Sequence, residues 1–221
     1  MSRVIKVLVV AVLLLAGLQW YVPRWVSGQM ATKISAFDHG PKPTVSLVAI
    51  PFWYLLQGRF QDLYVNAQQV KVGPVELQSI QLDWQNGGLS TKALIAQHLK
   101  VTRAGKVSLT ITVDEAALAT FLAQQGKFQN PTVHITKAGV AITGRVLLGG
   151  VYIPLDTKGN LVVSKDKKTL IFHPTSIDGV HLPVVTDVQI FSVDSLKLPV
   201  PMVIQSVVLV PGAIVVKAGT P

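Results

Sequence analysis

Residues 63–84 carry a matched pair of phase changes, and these restrict the fold more than any other feature of the chain. Leu63, Val65 and Ala67 alternate with polar residues, and the apolar positions then move to the other parity at Val70 and Val72. After Gly73-Pro74 the pattern runs in reverse. Val75 and Leu77 alternate, the parity changes, and Ile80, Leu82 and Trp84 follow. Folding about Gly73-Pro74 sets Val72 opposite Val75, Val70 opposite Leu77, Ala67 opposite Ile80, Val65 opposite Leu82 and Leu63 opposite Trp84. Strand side chains alternate faces, so a phase change at one level of both strands transfers the apolar stripe to the other face. The hairpin should bury one face near its turn and the opposite face near its base, as a long twisted sheet wrapping another element does. A bulge at each phase change is the other way to make this pattern.

The rest of the chain reads as mostly β. Thr44–Ile50 is expected as a strand, and Leu89–Val101 alternates as a half-solvated strand. Val107, Leu109, Ile111 and Val113 form another. Val133 and Ile135 mirror Val140 and Ile142. Val151, Ile153 and Leu155 precede Thr157-Lys158-Gly159-Asn160, and Leu161–Val163 mirrors Leu170–Phe172. The last hairpin turns at Pro211-Gly212, with Leu209 facing Ile214 and Val207 facing Val216. Its strands are apolar on both parities, as in a strand covered on both faces. His181–Pro201 reads as irregular. Two helices are expected. One runs from Pro23 to about Phe37 with a Val26, Met30, Ile34, Phe37 stripe. The other spans 114–125, with Thr112 and Glu115 as a capping box, Leu118, Phe121 and Leu122 as its stripe and Gly126 as its stop. Pro51–Gly58 reads as a short apolar helical turn ending at glycine. The fold class is therefore α+β, mostly antiparallel β, a long curved sheet wrapping one or two helices.

Composition adds a second constraint. Hydrophobic residues make up 49% of the 221 residues and charged residues 14%, with a mean hydropathy of +0.46. Soluble domains ordinarily carry about a quarter charged residues. The surplus persists to the C-terminus, as in Val203–Val210, so it implies apolar surface kept for a ligand or a bilayer. The net charge of +9 suits anionic phospholipid or cell-wall polymer and, on charge alone, nucleic acid equally well. Basic residues are scattered, apart from Lys165, Lys167 and Lys168, with no Arg-rich arm or basic helix, so no nucleic-acid partner is expected. The absence of cysteine removes disulfides, lipidated cysteine and thiol chemistry.

Arg3 and Lys6 precede an uncharged apolar run, Val7–Leu18, followed by Trp20 and Tyr21. This order is that of an export segment. Residues 1–22 are read either as an uncleaved membrane anchor or as a cleaved signal peptide. Both place residues 23–221, read as one extracytoplasmic domain, outside the cytoplasm.

No nucleophile elbow, P-loop or dinucleotide fingerprint is present. His39, His98, His134, His173 and His181 show no metal-ligand spacing, so neither metal nor cofactor is expected. Asp178, Asp187 and Asp194 offer a carboxylate pair for acid–base chemistry, or simply solvated turns. The expectation is a non-enzyme.

Ile50-Pro51-Phe52-Trp53-Tyr54-Leu55-Leu56-Gln57-Gly58-Arg59-Phe60, leading into Leu63-Tyr64-Val65, resembles the signature of the LmeA-like phospholipid-binding family. Leu198-Pro199-Val200-Pro201 with the Val207–Val216 hairpin is similar to that family's later elements. The resemblance implies an exported bacterial protein that binds anionic phospholipid in the cell envelope, with a fold like the tubular lipid-binding proteins and no catalytic set. The expected lipid site comprises Pro51, Phe52, Trp53, Leu55, Leu56, Gly58 and Arg59, together with Phe121 and Leu122. Phe52–Leu56 would form a groove mouth or membrane-touching tip, or else plug the core. Arg59 and Lys71 would meet the headgroup. The alternative function is a non-catalytic envelope scaffold with a filled core.

Overall fold

The computed structural model describes residues 17–19, 21–28, 41–72, 75–90, 92–93, 100–124, 126, 128–148, 150–177, 187–196 and 198–221. The β2–β3 hairpin (β2 Asp62–Val72, β3 Val75–Gln85) has the expected register at every pair, from Leu63 opposite Trp84 to Val72 opposite Val75. No residue is inserted at the phase change; Gln69 takes a φ of 55° and the pairing continues beyond it. The buried positions thus change parity across Gln69. Leu63, Ala67 and Trp84 are buried in the base half, Val75 and Leu77 in the turn half.

Two antiparallel sheets carry the fold. The first holds six strands in the order β1-β2-β3-β6-β13-β12, adding β1 (Thr44–Val48), β6 (Lys106–Asp114), β12 (Val203–Val210) and β13 (Ala213–Gly219). The second holds five in the order β11-β10-β9-β8-β7, from β7 (Phe128–Thr136), β8 (Gly139–Leu148), β9 (Val151–Val163), β10 (Thr169–Ile177) and β11 (Val188–Ser192). A two-stranded ladder, β4 (Gly88–Leu89) with β5 (Val101–Arg103), closes the end of the hairpin base. The architecture is mostly antiparallel β in a curled half-barrel with few helices.

On the first sheet, matched positions on five strands form three adjacent apolar rows. Leu47 pairs with Leu63, Trp84 with Val107, Leu82 with Leu109, Ile80 with Ile111, and Val216 with Ile111. Leu109, Ile111, Ile214 and Val216 are at most 1% exposed, which places the centre of the core at β6–β13. The second sheet contributes Val140, Ile142, Leu170 and Phe172 to the same cluster. Gly159 lies in the middle of β9 because a Cβ there would collide with the Phe172 ring and the His173 carbonyl. Backbone bonds tie the sheets together: Gly212 N–H donates to Ile135 O (3.0 Å) and Ile204 N–H to Lys167 O (2.6 Å).

β6 runs straight into helix α3 (Glu115–Gln124). Asp114 caps it, its Oδ1 accepting from Ala117 N–H at 2.8 Å. This corrects the Thr112–Glu115 capping box. Thr112 is held in the β ladder, opposite Ser79 and Val215, and cannot sit at a helix start. Glu115 instead accepts from Ile135 N–H at 2.6 Å, joining the helix start to β7. The stripe is as expected, with Leu118, Phe121 and Leu122 buried along with Ala117.

Other expectations change. Leu89–Val101 is not one strand: Lys92 and Ala93 are helical, and Ser90 Oγ accepts from Ala93 N–H at 3.3 Å. A serine side chain satisfying an amide three residues on is a helix start, and it overrides the two-residue alternation. β9 passes unbroken through Thr157–Asn160. The stretch read as irregular contains β11 and a 3-10 turn, Val193–Leu196. At the N-terminus, residues 21–28 (α1) are helical and the helix begins before Pro23. Met30, Ile34 and Phe37 lie outside the described residues.

Candidate functional site

The aromatic block after β1 folds into a single helical turn, α2 (Trp53–Leu56). Its end is set by Gly58, whose φ of 72° is the left-handed geometry glycine adopts without penalty. Gly58 N–H donates to Leu55 O (2.9 Å) and Arg59 N–H to Tyr54 O (2.7 Å), the paired bonds of a Schellman cap. Two glutamines clamp the other side. Gln61 accepts from Ile50 N–H at 2.6 Å and donates to Ile50 O at 2.5 Å. Gln19 donates to Ala49 O and accepts from Phe52 N–H, both at 2.7 Å.

The backbone is thus satisfied while the side chains face out. No residue of α2 is buried. Leu56 is 69% exposed, Ile50 60% and Trp53 45%. Leu55 alone within α2 packs against the core, and Pro51 and Phe52 are half-buried, with the Phe52 ring edge-on to Trp53 at 5.6 Å. Leu18, Tyr21 and Trp25, at the spacing of one helical face, are also exposed. Gln19 ties this segment to the residues just before α2. The result is an apolar, aromatic-rich knob that does not plug the core.

Phe121 and Leu122 lie elsewhere, buried on α3. Phe121 lines a cleft of about 330 Å³ with Val72, Val75, Ile190 and Phe191. The eleven-residue β2 strand separates this cleft from the knob, roughly 33 Å at about 3.3 Å per residue. The expected site is therefore two sites. The sequence reading missed Ile190 and Phe191, because masking prolines surround the five-residue β11 and hide its pattern. Arg59 and Lys71 also separate: Arg59 bridges Gly88 beside the knob, while Lys71 sits opposite Glu76 near the hairpin turn.

The polar groups make local contacts. His173 Nδ1 lies 2.7 Å from Asp187, His134 Nδ1 3.2 Å from Glu115, and Lys168 Nζ 3.1 Å from Asp194. Asp166 is held below the ordinary aspartate range, first by the Ser164 hydroxyl that donates to it and then by the Lys168 backbone N–H. Asp178 and His181 lie outside the described residues. Among the described residues, no three His, Asp or Glu side chains converge as a metal site, and no helix is long and apolar enough to cross a membrane.

No curated protein and no solved structure matches the chain significantly. The family model for LmeA-like phospholipid-binding proteins matches residues 18–219. That span takes in the knob, both sheets, α3 and the final hairpin, and the chain belongs to the LmeA-like phospholipid-binding family.

Proposed function

We propose that the protein binds anionic phospholipid at the outer face of the bacterial cytoplasmic membrane, in maintenance of the cell envelope, without catalysing a reaction. Residues 1–22 anchor it or direct its export, and residues 23–221 act as one lipid-binding domain. The observation that carries this reading is the knob. A chain in water gains nothing by fixing Ile50, Trp53 and Leu56 outward on a fully hydrogen-bonded turn, and such patches mark contact with a partner or an apolar phase. The family supplies the partner's class, phospholipid. Acyl chains would lie along apolar surface between the sheets, each buried methylene contributing about 0.8 kcal/mol. Pro51, Phe52, Trp53, Leu55, Leu56 and Gly58 shape the entry, and Phe121 and Leu122 the far end.

Native mass spectrometry of the full chain, gently extracted and then incubated with phosphatidylglycerol vesicles, tests this. Bound phospholipid at defined stoichiometry is the expected result. A lipid-free mass before and after incubation would favour the filled-core envelope scaffold instead.

A further inference from the structure

The strand registers place several separate features along one edge of the six-stranded sheet. Val48 pairs with Asp62, Asp62 with Gln85, and Gln85 with Lys106. The line continues through Ser108, Gly219 and Val203, next to which Ile204 N–H donates to Lys167 O. At one end of this edge stands the α2 knob. At the other stands the β9–β10 turn with Lys165 and Lys167. Five interstrand spacings of about 4.8 Å put them roughly 24 Å apart along the curved sheet.

Charge follows the same division. Arg59, Arg103, Lys106, Lys165 and Lys167 lie on this edge against Asp62, Asp83 and Asp166, while Lys168 is paired with Asp194. The opposite edge, formed by the Val72 and Val75 ends of β2 and β3, the start of α3 and the Pro211-Gly212 turn, carries Glu76, Asp114 and Glu115 against Lys71 and Lys137. The basic edge is also where residues 17–19 meet the fold, through Gln19.

We propose that this basic, knob-bearing edge is a docking face for an anionic bilayer. The knob enters the headgroup–acyl boundary, and Lys165 and Lys167 contact anionic headgroups. The six-stranded sheet stands on the membrane, with α3 and the β2–β3 turn pointing away. The second contact is what fixes orientation: the knob alone leaves the sheet free to tilt, whereas basic residues attracted to anionic lipid at the far end of the line align it with the surface. Each lysine near an anionic surface adds attraction that salt screens within a Debye length. The proposal rests on the phospholipid-binding reading for its lipid chemistry, but it concerns orientation, and the two fail separately.

The absence of cysteine makes the test direct. Ala104→Cys places a fluorophore on the basic edge, and Gln78→Cys places one toward the opposite edge; both residues are exposed. The full chain is reconstituted into phosphatidylcholine vesicles with or without phosphatidylglycerol, and with a headgroup-quencher lipid. Strong quenching at 104 and weak quenching at 78 is expected. Lys165→Glu with Lys167→Glu should lower the signal at 104 only in vesicles containing phosphatidylglycerol, and raised salt should do the same to the unaltered chain. Equal quenching at both positions, or quenching at 104 indifferent to both charge reversal and salt, overturns the docking face. Native mass spectra of the same samples test the other reading. Edge quenching without retained lipid sinks phospholipid binding and leaves the docking face standing.

Discussion

Helices α2 and α3 are both apolar, and their surroundings are opposite. α2 shows Trp53 and Leu56 to solvent, and no residue in it is buried. α3 buries Ala117, Leu118, Phe121 and Leu122. The difference lies in what the topology places over each element. α3 continues β6 beyond the ladder, where β7 and β3 pack against it. α2 bridges two neighbouring strands at the sheet's end, where Gln19 and Gln61 clamp the segment before it and Leu55 alone of its side chains packs against the core. Apolar content is thus a poor guide to burial. Removing side chains from the two elements should separate stability from lipid contact.

The largest effect is expected at Leu118, 1% exposed: Leu118→Ala should cost about 2–5 kcal/mol in urea unfolding, since the cavity adds to the lost transfer energy. Asp114→Ala, which removes the α3 cap, should cost about 1 kcal/mol in the same measurement. Leu56→Ser should shift stability by no more than about 0.5 kcal/mol, as for exposed sites generally. It should nonetheless slow uptake of phosphatidylglycerol from vesicles, measured by the time course of bound lipid. A Leu56→Ser chain that unfolds as easily as Leu118→Ala would erase the contrast between the helices. The smallest effect belongs to the β9–β10 turn. The Asp166 carboxyl is held low, so its contribution is present above the ordinary aspartate value and is lost as pH falls through the lower folded value. Exchange of the Lys168 amide, which donates to Asp166, should therefore accelerate only in that acidic window.

Much of the fold was legible where contacts are local. The registers of β2–β3, β7–β8, β9–β10 and β12–β13 were each readable from apolar positions mirrored about a turn. The α3 stripe was readable at helical spacing. Where local signals competed, the reading failed. The Ser90 cap displaced the alternation after Leu89, and the β ladder kept Thr112 out of the α3 start. β11 was hidden because its pairing with β10 links residues far apart across a proline-rich stretch. Of the candidate site, the Pro51–Arg59 block was visible as a motif. Its distance from Phe121 was not, because nothing in either segment encodes the length of hairpin between them.

By itself the sequence determined the mostly antiparallel class, the hairpin registers and the change of buried parity within residues 63–84. Strand parity and turn position are properties of adjacent residues, and they need no knowledge of the rest of the chain. Only the tertiary structure decided that β6 lies between β3 and β13, that α2 faces outward while α3 is enclosed, and that the knob and the Lys165–Lys167 turn share an edge. Those outcomes depend on long-range strand order. That order is set by which apolar faces can cover one another in three dimensions, and no short window of residues contains that information.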